Sequence, residues 1–327
     1  MRPADESQPR DHVDSARLLS AENRAPLLES LHQVLKTRQS FRGGWGFNTK
    51  QDALEPTCLA ILTLRHQSGA YVEKALNWIA QLQHQDGSWP VFDGAGREGS
   101  WTTALAVLSL LSVGSKGGSL QRAIGWLLSQ RGREADWFWR WKFRTVDTDV
   151  RFDPTKYGWN WTPGTISWVI PTAFSLIALR RARNLDATAK LDERVKLGAA
   201  MIFDRMCPGG GWNAGNGEAF GIPYAPYIDA TAIALLALRG HETEPGVHSS
   251  LSWLVNRLPA CPSPYSVAWG VLALAAYRHI SAANDTLDRS AKKLMALIKR
   301  VVPDDVCTLA VCALALDAVE GDNVFEV

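Results

Sequence analysis

The sequence predicts an all-α fold, an (α/α)6 barrel of six outer and six inner helices that carries an aromatic-rich insertion. Three observations lead there. A short apolar run recurs six times in one register, beginning at Glu55, Trp101, Ile170, Asp229, Tyr265 and Cys307. A more amphipathic stretch precedes each run, and Gly-Trp turns stand between the two kinds. The recurrence, at about 35–70 residues, is that of a repeat architecture whose units bury their faces only against neighbours.

The inner runs share three columns. Five residues in stands a small side chain: Ala60, Ala106, Ser175, Ala234, Gly270 and Cys312. Seven in are Leu62, Leu108, Ile177, Leu236, Leu272 and Leu314, and nine in all six are leucine. Helices apolar nearly all round are buried on most faces. The small column marks either a close approach of inner helices or a central cavity left open. The outer stretches fall over 27–40, 71–84, 119–130, 190–206, 247–258 and 286–301. Their apolar residues recur at three- and four-residue spacing, as in Leu76, Ile79 and Leu82, so one face is wet and one buried. Closed into a ring, the inner helices make the barrel; left open, the same units make an α-solenoid.

The turns are Gly43-Gly44-Trp45, Asp86-Gly87-Ser88-Trp89 and Gly209-Gly210-Gly211-Trp212. Glycine ends the outer helix at positive φ. The tryptophan packs over the helix end with its indole N–H on a carbonyl. Gln83 bonds the backbone of its turn. These residues are structural devices rather than catalysts.

The repeat reads as one domain over residues 26–320, interrupted by an insertion over 132–168. A flexible N-terminal tail (1–25) and a C-terminal tail (321–327) flank it. With 46% apolar and 21% charged residues, the 327-residue chain is globular and can bury a large core. A net charge of +2 without a dense Lys/Arg block argues against nucleic acid as a partner. Cys58, Cys207, Cys261, Cys307 and Cys312 show no paired spacing and read as reduced core thiols of a cytoplasmic protein. Residues 1–24 are polar and mixed in charge, unlike a signal peptide, and no apolar stretch approaches a bilayer span. The compositional oddity is tryptophan, with fourteen residues clustered beside glycines and in the insertion.

The segment Lys74 to Trp89, with Gln83, Gly87 and Trp89, resembles the QW motif of the triterpene cyclases. Together with the repeat, it is similar to the α/α toroid shared by squalene–hopene cyclases, class II diterpene cyclases and protein prenyltransferase β subunits. The resemblance covers nearly all of the chain after residue 25, although only the second repeat carries the motif in full. Prenyltransferases imply a zinc site built from Asp-x-Cys and a histidine. Here the fifth inner helix opens Cys261-Pro262-Ser263-Pro264-Tyr265-Ser266 and the last Asp304-Asp305-Val306-Cys307, so no metal ligand set is expected. Class II cyclases imply a DxDD motif opening an inner helix, whose middle acid protonates an alkene or epoxide. Tyr227-Ile228-Asp229-Ala230-Thr231-Ala232 stands at that place, with Asp229 on the acid's position and Tyr227 and Ala230 replacing the flanking aspartates. Such an acid must stay neutral in a dry cavity, and Tyr227 could orient its proton.

Asp before Ala-Thr is also an ordinary N-cap, so Asp229 is read either as a cap alone or as cap and acid. The first column as a whole is the layer where the repeat stops repeating. Glu55, Trp101, Tyr265 and Cys307 join Asp229 there as candidate substrate contacts at one end of the ring.

The insertion alternates aromatic and basic residues from Trp137 to Arg144, as in a strand with one apolar and one basic face. It is expected to cover the mouth as a lid. Trp139, Trp141, Trp159 and Trp161 would face a greasy ligand and stabilise cations by cation–π attraction, and Arg140, Lys142 and Arg144 would face a diphosphate or carboxylate. Packed on the rim instead, the same residues make a structural flap. Asp147-Thr148-Asp149 reads as a solvated turn.

The favoured function is a class II-type terpene cyclase with Asp229 as general acid. The alternatives are a non-catalytic isoprenoid- or lipid-binding toroid and a partner-binding repeat protein. The expected partner is a hydrophobic isoprenoid-like small molecule; a peripheral membrane contact and a second subunit stay open. No cofactor is required, except Mg2+ if the substrate is a diphosphate.

Overall fold

The computed structural model describes residues 11–48, 51–67, 69–185 and 188–327, with side chains from Arg24 onward. Of the tail expected over 1–25, residues 1–10 lie outside the described residues, and Asp11 opens the first helix. In chain order the helices are α1 (Asp11–Thr37), α2 (Leu54–Leu64), α3 (Ala70–Leu82), α4 (Thr102–Ser112), α5 (Gly118–Ser129), α6 (Trp137–Thr145) and α7 (Val169–Ala182). Then follow α8 (Ala189–Asp204), α9 (Ile228–Ala237), α10 (Pro245–Arg257), α11 (Pro264–Ala276), α12 (Ser281–Arg300) and α13 (Val306–Val319). Strands β1 (Glu218–Ala219) and β2 (Ile222–Pro223) form a small antiparallel hairpin between α8 and α9. Helix α12 begins five residues before its expected start. Apolar spacing marks only the buried stretch of a helix, and Ser281–Asp285 contains no breaker to end it sooner.

The six apolar helices form a ring: α2 packs on α4, α4 on α7, α7 on α9, α9 on α11, α11 on α13, and α13 back on α2. Side chains tie neighbours together. The Thr63 hydroxyl donates to the Ala310 carbonyl across the closing contact at 3.2 Å, and that of Ser109 to the Cys58 carbonyl at 3.1 Å. The amphipathic helices lie outside, α3, α5, α8, α10 and α12 each on the inner helix before it and α1 against α13. The small column serves close packing in both layers. Cys312 lies against the Pro264 carbonyl of α11, while a Cβ on Gly270 would stand 2.4 Å from a methyl of Leu258.

The middle of the ring is filled. Phe174 on α7 and Trp269 on α11 meet at 5.7 Å between ring centroids although α9 stands between their helices, so both point inward. Phe325, fully buried, packs against both from the segment after α13, at 5.1 Å from Trp269 and 6.1 Å from Phe174. Arginines at the inner helices' C-terminal end hold that segment, Arg65 pairing with Asp322, Arg181 donating to the Val324 carbonyl and Arg239 pairing with Glu326.

Every connection from an outer to an inner helix lies at the opposite end, and one device recurs there four times. The indole N–H groups of Trp45, Trp89, Trp159 and Trp212 donate to the carbonyls of Leu35, Ile79, Leu127 and Ile202, in or beside the last turn of the preceding outer helix. The backbone N–H of each tryptophan donates to a threonine hydroxyl on the next inner helix: Thr57, Thr103, Thr172 and Thr231. Four buried indoles are thereby satisfied and the two layers locked. Gln83 donates to the Gly87 and Ser119 carbonyls, and Gln39 does the same to Gly43 and Tyr71. The first repeat therefore carries the glutamine device too, at the same spacing. Gly87, at φ 93°, has no room for a side chain: a Cβ would lie 2.4 Å from the Arg122 carbonyl.

Candidate functional site at the mouth of the ring

The N-termini of the inner helices converge at this end. Glu55, Trp101, Ile170, Asp229 and Tyr265 are each partly reached by solvent, while Cys307 is buried. Two residues further in, Thr57, Thr103, Thr172, Thr231, Val267 and Leu309 are all buried. The first column is therefore the last layer that solvent reaches at this end, above the Thr–Trp layer and the aromatic centre.

Electrostatics single out Glu55, in the first turn of α2. Burial, reinforced by the charge of Asp305, pushes its carboxyl up to about 7. Tyr265 is pushed well above the ordinary phenol range by burial first and then by Glu55, with Cys307 and Asp229 adding to it. The Cys307 thiol rises for the same reasons, burial and then Glu55 and Asp305. These groups come from α2, α9, α11 and the start of α13, so the ring assembles what the chain keeps far apart. Asp305 is anchored as the N-cap of α13, accepting from the backbone N–H of Cys307 and Thr308 at 3.0 Å each.

Asp229 is not a cap. Helix α9 starts at Ile228 behind Tyr227, and no side chain caps it. Asp229 sits in its first turn. Tyr227 is exposed and lines a cleft of about 580 Å³ together with Trp168, Ala219 and Tyr224. Residues two apart at a helix start do not share a face. The tyrosine grouped with the acids is Tyr265.

The insertion departs from expectation. Residues Trp137–Thr145 form a helix, not a strand, because its alternation also satisfies a four-residue period: Trp139 and Phe143 stack on one face at 5.9 Å. Trp159 belongs to the structural indole set, with the Arg194 guanidinium 4.0 Å from its ring centre. Trp139 is held between Arg133 and Lys142, whereas Trp141 is exposed. Arg140 donates to the Ala135 carbonyl and Lys142 pairs with Asp147 at 3.1 Å, so both cations are engaged within the insertion; Arg144 faces outward. Trp161 alone of this set meets the first column, edge-on to Trp101 at 5.0 Å, and Trp101 in turn contacts Phe174 at 5.8 Å. The run Trp161, Trp101, Phe174, Trp269, Tyr265 is one connected aromatic wall.

What roots the insertion went unread in the sequence. Glu134, fully buried, accepts the Ser167 N–H shared between its two carboxylate oxygens and faces Arg205. The column of threonines two residues after Glu55, Trp101, Ile170 and Asp229 was a visible signal for the layer lock. The five cysteines are buried and free, and among the described residues no group of three His, Cys, Asp or Glu could hold a metal ion. Nor is any described helix long and apolar enough to cross a membrane.

No protein-family profile matches the sequence, and no curated protein matches it. Solved structures do match in fold. Cellobiose 2-epimerase from Spirochaeta thermophila superposes with a TM-score of 0.66 at 11% identity, covering 95% of this chain and 99% of that one. The type II terpene cyclase MstE from Scytonema, in complex with merosterolic acid A, gives 0.61 at 14% identity, covering 92% and 98%. An α-amylase from Clostridium perfringens gives 0.59 at 12% identity, covering 88% and 96%. Enzymes of sugars and of terpenes share this architecture, so at these identities the likeness establishes an α/α-toroid fold and leaves the reaction to the site.

Proposed function

We propose that the protein is a class II-type isoprenoid cyclase that works at the mouth of an (α/α)6 barrel, with Glu55 as the acid that starts carbocation formation. The observation that carries this reading is a carboxyl pushed up to about 7 beside an aromatic wall. A protonated Glu55 transfers its proton to an alkene carbon: the π electrons form the new C–H bond, and the adjacent carbon becomes cationic. The faces of Trp101, Trp161 and Tyr265 stabilise that charge, and loss of a proton from carbon ends the cyclisation. The insertion and the β1–β2 hairpin act as the lid that keeps water from the cation. Asp229, with Tyr227, is the competing choice of acid.

Separate Glu55→Gln and Asp229→Asn variants decide between them, assayed with geranylgeranyl diphosphate, squalene and geranylgeranyl dihydroxybenzoate. We expect Glu55→Gln to lower cyclisation at least ~100-fold and Asp229→Asn to leave it within ~10-fold. The reverse pattern returns the acid to Asp229, and wild-type rates in both variants remove acid catalysis from this column. A second reading, a partner-binding repeat protein without a ligand cavity, draws on the filled middle formed by Phe174, Trp269 and Phe325. It expects neither product from these substrates nor quenching of Trp101 and Trp161 by them.

A further inference from the structure

The exposed apolar side chains are distributed unevenly. Among the described residues, every large exposed hydrophobic except Tyr71 and Leu185 sits on a connection at the mouth end of the ring. Singly exposed apolar residues are ordinary, but a concentration on one face is not. Its centre is α6. Trp141 lies one turn from Trp137 and Phe138 on a single side, the three being 53%, 81% and 46% exposed. The opposite side fastens the helix, through Phe143 against Phe152 at 5.0 Å and the Arg205 guanidinium over Phe152 at 4.2 Å. The outward aromatics therefore contribute nothing to holding the helix down.

The β1–β2 hairpin continues the face. Val150 bridges to Ala219, and the Phe220 N–H donates to the Asp149 carbonyl, so the hairpin is joined to the segment leaving α6. Its two-residue turn is Phe220-Gly221, with φ of 53° and 71°. Turns with both φ values positive favour Asn-Gly. A phenylalanine in this left-handed position is strained, and at 69% exposure its ring recovers little from the rest of the protein. Strain that holds an aromatic ring in water points to something outside the chain.

Charge identifies the partner. Helix α6 carries no acid; of its cations Lys142 pairs with Asp147 and Arg140 donates to the Ala135 carbonyl, while Arg144 faces outward and Arg133 lies against the helix over Trp139. Tryptophan and phenylalanine interleaved with cations on a short amphipathic helix are the composition of the lipid headgroup boundary. We propose that this face docks on an anionic lipid bilayer, with α6 in the headgroup layer and the Phe220-Gly221 turn inserted beside it. The proposal stands on this surface alone and holds whether or not Glu55 protonates a substrate.

The test is co-sedimentation of the full chain, without substrate, with vesicles of phosphatidylcholine alone and of phosphatidylcholine with phosphatidylglycerol. The wild-type protein is expected to pellet with the anionic vesicles, far less with the neutral ones, and to be released by salt. Trp137→Ser with Trp141→Ser should weaken the partition about ten-fold or more, and Arg144→Gln should weaken it at low salt. Phe220→Asn suits the turn better, so it should raise thermal stability while lowering lipid binding. Wild-type protein that stays in the supernatant with both vesicle types overturns the proposal. So does a folded tryptophan variant that binds like wild type. Concentration-dependent self-association lost in that variant, without vesicle binding, would instead assign the face to a second copy. If the tryptophan variant does not fold, Phe220→Asn decides: vesicle binding equal to wild type overturns the proposal.

Discussion

Glu134 and Arg205, both buried, face each other at 3.9 Å where the long insertion meets the end of α8. The pair ties a loop that no helix period specifies to the rigid outer layer. Removing one partner of a buried pair strands the other, at a cost of about 3–5 kcal/mol. Asp204 also pairs with Arg205, so the lower end applies to Glu134→Ala. Asp136→Ala, which breaks the exposed pair with Arg131, should cost under ~1 kcal/mol. Urea unfolding of both variants checks this, and equal losses would show that the insertion is not rooted at Glu134.

The Thr–Trp lock predicts a second effect. Thr231→Val keeps shape but removes the acceptor for the Trp212 N–H and leaves that buried donor unpaired. A loss of about 1–3 kcal/mol is expected. Thr57→Val should behave alike, because Thr57 holds Trp45 in the same way. Val267, which has no tryptophan above it, is the natural control: Val267→Thr should recover nothing. The comparison is read from chemical denaturation midpoints.

Glu55 makes stability depend on pH. Its folded carboxyl titrates near 7 against an ordinary 4.5, so the native state holds a proton that the unfolded chain has released. The stability this contributes is fully present below pH ~4.5 and is lost as pH rises through about 7, on the order of 2–3 kcal/mol. Asp317, pushed up to about 6 chiefly by burial, acts in the same sense, so the wild-type profile is a sum. Glu55→Gln isolates its share: the variant should overtake wild type above pH 7 and lose that part of the slope. Parallel curves from pH 5 to 8 would contradict the shift.

Phe325 closes the middle of the ring, and its removal should be felt there. Phe325→Ala is expected to cost about 3–5 kcal/mol and to leave an apolar cavity beside Phe174 and Trp269. Benzene should then raise the variant's Tm and leave that of the wild type unchanged. A loss below ~1 kcal/mol would mean that the segment after α13 is not packing the centre.

Much of the architecture was legible in the chain. Five of the leucines nine residues after Glu55, Trp101, Ile170, Asp229, Tyr265 and Cys307 lie in the inner helices and Leu238 directly follows α9, because helical period is a local property that apolar spacing records directly. Trp45, Trp89 and Trp212 were legible for the same reason, each ten residues after the carbonyl that its indole meets; Trp159, 32 residues after its own, reads in sequence as a lid residue instead. Gln39 and the threonine column were equally readable and were passed over. The insertion misled, since its aromatic–basic alternation satisfies both a two- and a four-residue period, and the Trp139–Phe143 contact, four residues apart, is the helical one.

By itself, the sequence determined the repeating units, the layer each residue enters and the end of the ring at which the repeat varies. Tertiary structure alone decided which members of that variable layer meet. Glu55, Tyr265, Cys307 and Asp305 share one environment although α2 and α13 lie at opposite ends of the repeat, because the ring closes on itself. The same closure brings Phe325 into the centre. Burial and the Asp305 charge raise the Glu55 carboxyl through neighbours that ring closure brings together, which no local spacing records.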